Sequence, residues 1–258
     1  EEIFFTIEGC RLPGKNLKQF NKVYSLSYMT DFIDSYKNYI DLVDYSILPS
    51  FKFAEYYDRL SKKNLYLGSP KYDIVLNKEE TLRKYNLNNV NKKFALVVFP
   101  KLRDLHQVNM KIIYSLLNSL GFEVIVKTRG KDPIPLSMQN DNTYSDFSWY
   151  PHSTMELIFL SDIVINFSST VVKECVMMKT PLINIHIKPF TPHLEFLYDY
   201  EYCKKLDINS QAEDFLSAVK ELTTKDYTSE FNASIKENLF EAQGTCERIF
   251  QHISNIKN

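Results

Sequence analysis

Residues 161–187, SDIVINFSSTVVKECVMMKTPLINIHI, contain two short apolar runs separated by a mixed stretch. The runs DIVINF (162–167) and PLINIHI (181–187) have the length and the apolar character of buried β-strands. The residues between them, 169–178, are predicted as a helix. Because two buried strands joined by a helix form a parallel pair with a right-handed crossover, this stretch predicts an α/β protein.

The same alternation continues on both sides of this stretch. Strands are predicted at 94–99 (FALVVF), 122–127 (FEVIVK) and 143–147, and helices at 109–120, 154–160, 212–222 and 229–253. Ser153 and Glu156 have the spacing of a capping box at the start of helix 154–160.

A shorter series of alternating strands and helices precedes residue 76. It has predicted strands at 23–28, 43–48 and 65–68, with helices at 30–42 and 53–63. The polar stretch 76–92 separates the two series. We therefore predict an α/β fold of two doubly wound, Rossmann-like units with parallel sheets flanked by helices. The N-terminal unit, 1–75, is short or incomplete, and the C-terminal unit, 76–258, includes the final helices.

Composition excludes several classes of protein. Hydrophobic residues at 44% and charged residues at 24% are ordinary for a globular protein and argue against disorder. The chain has 31 Lys+Arg against 32 Asp+Glu, so no basic surface for nucleic acid is expected. Neither G-x-G-x-x-G nor G-x-x-x-x-G-K-[ST] occurs, which excludes a nucleotide site built on a glycine-rich loop.

The spacing of the cysteines and histidines predicts neither a disulfide framework nor a metal site. The four cysteines lie far apart, and no C-x-x-C occurs. No apolar run approaches the roughly 20 residues that span a bilayer, and no signal peptide opens the chain. These features favour a reducing, cytoplasmic setting.

Polar side chains follow three strands of the second unit, at the edge where parallel sheets bind ligands. Hydroxyls at a helix start suit phosphate, cations add charge-assisted contacts, and a carboxylate one turn later can accept two hydrogen bonds from ribose. Each group alone has an ordinary explanation as a helix cap, a solvated strand end or a surface residue. As a set they predict a nucleotide-diphosphate site formed by Arg103, Lys127, Arg129, Ser168, Ser169, Thr170 and Glu174.

As an ordered set, these residues resemble the nucleotide-binding segment of GT-B glycosyltransferases. Ser168–Thr170 match the hydroxyl-rich phosphate loop, Glu174 matches the ribose-binding acid, and Lys179 stands where the family usually has Gly before its Thr/Lys-Pro. YLGSPKYD (66–73) is similar to the G-x-P-x-x-D signature of capsule and lipopolysaccharide transferases. The resemblance spans 23–189 and implies two Rossmann-like domains, with the donor held mainly by the C-terminal one.

The sequence departs from this family in two places. A full N-terminal domain normally exceeds 75 residues, so we expect this chain to hold either its later part, with residues missing upstream of Glu1, or a reduced version of the domain. The basic-His-Pro motif after the second strand is replaced by KTRGKDP (127–133). The nucleotide base therefore stays open among uridine, cytidine and guanosine.

The acceptor side carries the catalytic base in inverting members of this fold. Glu8, in an acidic-Gly pair after IFFTI, and Asp31, after VYSLSY, are the two candidates for that base. Each also has a structural explanation, and for Asp31 it is a helix cap. The family usually needs no bound metal, and no D-x-D occurs.

These observations predict a metal-independent glycosyltransferase without a cofactor. Its partners are a nucleotide-sugar donor and a glycan or lipid-linked acceptor in surface polysaccharide synthesis. A CDP-glycerol-type polyol phosphate transferase, a nucleotide-sugar 2-epimerase and a non-catalytic glycan-binding module remain alternatives. The resemblance adds the inner face of the membrane as an alternative location, although the C-terminal helix carries mixed charges and suits peripheral membrane contact poorly.

Overall fold

Two parallel β-sheets organise the chain. The computed structural model describes residues 3–7, 20, 22–26, 43–56, 60–87, 91–128, 134–145, 153–187, 194–239 and 243–256. The first sheet has the strand order β1-β2-β3-β4, with every neighbouring pair parallel. Its strands are β1 (Ile3–Ile7), β2 (Lys22–Leu26), β3 (Tyr45–Leu48) and β4 (Asn64–Tyr66).

The second sheet has six parallel strands in the order β10-β9-β8-β5-β6-β7. From β5 the chain moves outward to β7 and then returns to the other side of β5, which places the topological switch between β5 and β8. The predicted α/β class with parallel sheets is confirmed. The strands are β5 (Lys93–Val98), β6 (Phe122–Thr128), β7 (Thr143–Ser145), β8 (Ile163–Asn166), β9 (Leu182–His186) and β10 (Cys203–Asp207).

Eight α-helices are found within the described residues. They are α1 (Phe51–Tyr56), α2 (Lys78–Lys84), α3 (Met110–Ser119), α4 (Ser153–Leu160), α5 (Val172–Met178), α6 (Ala212–Thr224), α7 (Thr228–Ser234) and α8 (Thr245–Ile256). The predicted helix 30–42 lies outside the described residues. The central strands β5 and β8 are buried along most of their length, as their apolar sequences predict.

The predicted single helix 229–253 is wrong, because a π-helical turn, Ile235–Leu239, follows α7. The Ser50 hydroxyl donates a hydrogen bond to the carbonyl of Asn238 in this turn. The same hydroxyl accepts the N–H of Phe53 and so caps α1. The Ser50 hydroxyl and the Asn238 side chain, whose Nδ2 donates to the Ser234 carbonyl at 3.1 Å, both enter the helical ladder here, which is a recognised cause of π-turns and kinks.

Two further local predictions differ from the structure. The edge strand β10 was not predicted, because its sequence CKKLD is mostly polar and only Cys203 is buried. The expected capping-box role of Glu156 is replaced by long-range contacts. Its carboxylate accepts Lys84 Nζ at 2.7 Å and also the Tyr85 hydroxyl. A buried carboxylate gains more from a cation and a hydroxyl than from a local backbone N–H.

The chain divides into two compact units. Unit 1 comprises residues 1–74 and 233–258, and unit 2 comprises 75–232. The sequence-based division assigned 233–258 to the second unit, whereas the contacts of this segment group it with the first. The reason is long-range docking of α8, which no local pattern reveals.

The G-x-P-x-x-D segment docks α8 within unit 1. Asp73 Oδ1 accepts the N–H of Thr245 at 3.0 Å and Oδ2 accepts that of Cys246 at 2.6 Å, so Asp73 caps the first turn of α8 from 172 residues away. Arg248 Nε donates to the Leu67 carbonyl at 3.0 Å. Gly68 has φ +97°, and a Cβ there would lie 2.7 Å from Thr245 Oγ1. The glycine thus lets the segment approach the helix.

Replacing Gly68 by alanine should destabilise the protein more than the matched change at Gly121, which lies in unit 2. Both glycines have positive φ, but a Cβ at Gly121 meets nothing within 4 Å. Gly121→Ala should cost roughly 1–2 kcal/mol for the left-handed backbone alone. Gly68→Ala should cost on the order of 2–5 kcal/mol, because overpacking adds to that strain. Urea unfolding of both variants measures the difference, and equal losses would contradict the close approach.

Asp73 should make stability depend on pH. Burial raises the pKa of its carboxyl, but the hydrogen bonds from Cys246 and Thr245 together outweigh burial and lower the pKa below its ordinary value. The stabilisation is therefore present above the unfolded pKa of about 4 and is lost as pH falls through the folded value.

The Asp73→Asn variant should show a smaller fall in the free energy of unfolding than the wild type between about pH 5 and pH 3. Urea unfolding at each pH gives this comparison. Asp141→Asn, at an exposed position, is the control and should follow the wild type. Identical pH profiles for all three proteins would show that the Asp73 cap contributes nothing.

Candidate functional site in unit 2

A tight turn joins β8 to α5 at the carboxyl edge of the second sheet. The sequence predicts a helix from residue 169, but the chain remains in a turn until Val172, where α5 begins. Ser168 has φ +49°, which is uncommon for a residue other than glycine. Ser168 is only 1% exposed. Ser169 and Thr170 are partly exposed, so the three predicted hydroxyls lie on one turn in different environments.

Three buried side chains hold this turn, and we call them the asparagine tether: Asn166, Asn184 and Tyr198. Asn184 Oδ1 accepts the N–H of Ser168 at 2.9 Å and Asn166 Nδ2 at 3.1 Å. Asn166 Oδ1 accepts the N–H of Ser169 at 3.3 Å. The Tyr198 hydroxyl donates to the Ser169 carbonyl at 3.0 Å. Sequence reasoning missed the tether, although an Asn inside each apolar strand was a visible signal.

The Ser168 hydroxyl is buried and has no hydrogen-bond partner among the residues that the structure describes. Burying a hydroxyl without a partner is unfavourable. Groups of this kind concentrate where a protein gives up stability for function.

Glu174 lies in the first turn of α5 and is only 4% exposed. Glutamate is rarely buried to this extent. Burial raises the pKa of the adjacent Cys175 thiol, and the electrostatic effect of Glu174 raises it further. The structure thus places the predicted ribose-binding carboxylate on the helix that directly follows the turn.

Of the predicted basic residues, Lys127 and Arg103 can be located. Lys127 lies near the end of β6, is buried, and its Nζ donates to the Thr128 carbonyl at 2.7 Å. The strand order puts β5 between β6 and β8, so Lys127 is about two strand spacings, roughly 10 Å, from β8. Arg103 follows β5 in a 3₁₀ turn, exposed, with Nε 3.5 Å from Asp104 Oδ1.

Three predicted site residues, Arg129, Glu8 and Asp31, lie outside the described residues. The structure therefore brings together Ser168, Ser169, Thr170 and Glu174. Arg103 follows β5, the strand adjacent to β8, and Lys127 lies on β6, one strand further away.

A cavity of about 450 Å³ lies beside the asparagine tether, at the carboxyl ends of β9 and β10. Asn184 and Tyr198 line it together with His186, Lys205 and Asp207. The sequence did not predict this cavity, because one of its two strands, β10, was missed.

Within the described ranges, no group of three or more His, Cys, Asp or Glu residues is arranged to hold a metal ion. In the same ranges, no helix has both the length and the apolar character needed to cross a membrane.

No protein-family model matches the chain, and no curated protein matches it in sequence. Solved structures do match its fold. A Listeria monocytogenes protein, described as a candidate UDP-N-acetylglucosamine 2-epimerase, has a TM-score of 0.67 at 10% identity, covering 100% of this chain and 75% of its own. The UDP-GlcNAc 2-epimerase from Neisseria meningitidis bound to UDP-GlcNAc has a TM-score of 0.60 at 12% identity, covering 93% and 71%. The wall teichoic acid polymerase TagF, in a structure with CDPG, has a TM-score of 0.61 at 17% identity, covering 98% and 71%.

These similar structures are nucleotide-sugar and related enzymes of the GT-B fold. The predicted fold, two Rossmann-like units of GT-B type, is therefore confirmed. At identities of 10–17%, the likeness concerns the fold.

Removing the Ser168 hydroxyl should leave the protein as stable as before or stabilise it. Ser168→Ala deletes a buried hydroxyl without a described partner, so the free energy of unfolding should be unchanged or rise by up to about 1 kcal/mol. Ser161→Ala is the matched control, because the buried Ser161 hydroxyl donates to the Leu157 carbonyl at 2.7 Å. That variant should lose about 1 kcal/mol. Equal losses in urea unfolding would show that the Ser168 hydroxyl is satisfied.

Proposed function

We propose that this protein is a glycosyltransferase that moves a sugar from a nucleotide-activated donor to a glycan or lipid-linked acceptor. The observation that carries the proposal is the buried carboxylate of Glu174 on the helix that follows the Ser168–Thr170 turn, at the carboxyl edge of the sheet. Ligands of doubly wound sheets bind at this edge. The GT-B fold of the similar nucleotide-sugar enzymes supports the same site.

On the donor side, the hydroxyls of the partly exposed residues Ser169 and Thr170 would contact the phosphates. The Glu174 carboxylate would accept hydrogen bonds from the two ribose hydroxyls, as a charged acceptor does well. Ser168, whose hydroxyl is buried, would form the inner side of the turn.

For an inverting transfer, a base removes the proton from an acceptor hydroxyl, whose oxygen then bonds to the anomeric carbon of the donor sugar. The bond from that carbon to the nucleotide phosphate breaks, and negative charge develops on the phosphate. Arg103, Lys127 or Arg129 would stabilise this charge without a metal ion. Arg103 is exposed and follows β5, the strand beside the topological switch. Lys127 would have to break its hydrogen bond to the Thr128 carbonyl to reach the phosphate. Glu8 and Asp31 are the proposed bases.

A nucleotide-sugar 2-epimerase is the second candidate, because the match with the Listeria protein covers this chain completely. A polyol phosphate transferase is favoured in the same way by TagF. Analysis of the products separates these reactions. A transferase joins the sugar or polyol phosphate to an added acceptor, while an epimerase converts the nucleotide sugar without one. A binding module leaves the donor unchanged.

Nucleotide binding should depend on Glu174. Thermal unfolding with UDP, CMP, CDP and GDP identifies the nucleotide that binds. A ligand at 100 times its dissociation constant adds roughly 2.7 kcal/mol to the free energy of unfolding and so raises the melting temperature. Glu174→Gln keeps the side-chain shape but removes its charge. Binding should weaken about 10- to 100-fold, because hydrogen bonds to a charged group contribute roughly 1.5–3 kcal/mol.

The control for this test is Glu213→Gln, on the exposed surface of α6, which should bind like the wild type. Each variant is first shown to unfold cooperatively without ligand. Wild-type affinity in Glu174→Gln would overturn the ribose role, and the absence of any nucleotide shift in the wild-type protein would overturn the donor site itself.

A further inference from the structure

We infer that Asn184 is a positioning residue: from strand β9 it holds the Ser168–Thr170 turn in the shape that presents Ser169 and Thr170 to the phosphates of the donor. This inference rests on the proposed function and deepens it, because it assigns the shape of the phosphate-binding turn to a side chain outside the turn.

The position of Asn184 in the sheet makes this role geometrically direct. Asn166 and Asn184 are register partners on the parallel neighbours β8 and β9, so their side chains lie side by side on one face. Both are buried. An Asn in a buried strand is unfavourable unless its polar atoms are hydrogen-bonded, and here each amide bonds to the other or to the turn.

The bonds themselves determine how the two amides are oriented. The backbone N–H groups of Ser168 and Ser169 can only donate, so each must face a side-chain oxygen. Asn184 Oδ1 and Asn166 Oδ1 are those oxygens. The Nδ2 group of Asn166 is thereby directed to the Ser169 carbonyl at 3.2 Å and to the Tyr198 hydroxyl at 3.1 Å.

The tether holds a backbone shape that serine does not favour. Ser168 has φ +49°, in the left-handed region where most side chains are strained. The hydrogen bond from its N–H to Asn184 holds it there from the neighbouring strand. Such conformations persist only where the surroundings over-determine them, and they cluster at ligand-binding sites.

The same bonds decide which groups of the turn are available to a ligand. The N–H groups of Ser168 and Ser169 and the carbonyl of Ser169 are all taken by the tether. Ser169 and Thr170 are partly exposed, and their hydroxyls are not among the groups that the tether takes. A turn held from the inside presents these hydroxyls without having to order them on binding.

Hydrogen exchange tests the positioning without any ligand. In the wild type, the N–H groups of Ser168 and Ser169 should be protected. In Asn184→Leu, which has similar volume but no acceptor, both should exchange at least about tenfold faster, while the amides of β8 and β9 stay protected. Asn184→Asp keeps an oxygen in place and should restore protection at Ser168. Unchanged protection in Asn184→Leu would overturn the positioning role.

Calorimetry then tests the link to phosphate. Of UDP, CMP, CDP and GDP, the one that the wild type binds best is compared with its nucleoside. Asn184→Leu should weaken binding of the nucleotide about tenfold or more and binding of the nucleoside less than about threefold, because only the phosphates touch the turn. Equal weakening of both would overturn the inference in favour of general structural damage.

Asn140→Leu is the matched control for this comparison. Asn140 is also a structural Asn in unit 2, and its Nδ2 donates to the Val124 carbonyl at 2.8 Å. This variant should weaken neither ligand selectively. If the wild type binds none of the four nucleotides UDP, CMP, CDP and GDP, the proposed function fails and the phosphate role of Asn184 fails with it, while hydrogen exchange still decides whether Asn184 positions the turn.

Discussion

The hydrogen bond from the Ser168 N–H to Asn184 Oδ1 is the constraint on which the candidate site depends. It joins a backbone group at the end of β8 to a buried side chain in β9, and it holds Ser168 at a positive φ. The turn held in this way lies at the carboxyl edge of the sheet, with Ser169 and Thr170 partly exposed and Glu174 buried on the helix that follows. A buried polar network of this kind specifies one arrangement of the turn. Each hydrogen bond that breaks leaves a buried polar group with neither a protein partner nor water, which is unfavourable.

Unit 1 is organised by the same kind of interaction at longer range. Asp73 binds backbone N–H groups at the start of α8, and Arg248 returns a hydrogen bond to Leu67. In both units, a side chain from a distant segment satisfies backbone groups that secondary structure leaves unpaired. The G-x-P-x-x-D signature is therefore explained in part by docking of the C-terminal helix: the glycine permits close approach and the aspartate caps.

The likeness to GT-B enzymes at 10–17% identity shows how little sequence this fold requires. Apolar strands alternating with helices suffice to build the layers, and many residues satisfy that pattern. Function resides in the few side chains at the strand ends, and the fold by itself does not specify it. The Lys179 position illustrates the difference. It adopts the left-handed conformation at the end of α5, a position that glycine commonly occupies in helices.

Sequence alone determined the parallel α/β fold and the placement of Ser168, Ser169, Thr170 and Glu174 at one strand end, because both follow from local apolar periodicity and from the chain order of a parallel sheet. It did not determine strand β10, the break in the C-terminal helix or the assignment of residues 233–258 to unit 1. Only tertiary structure decided these features, together with the hydrogen bonds of Asn184 to the Ser168 N–H and to Asn166. They arise from hydrogen bonds and packing between segments 16 to 188 residues apart, which no pattern along the chain records.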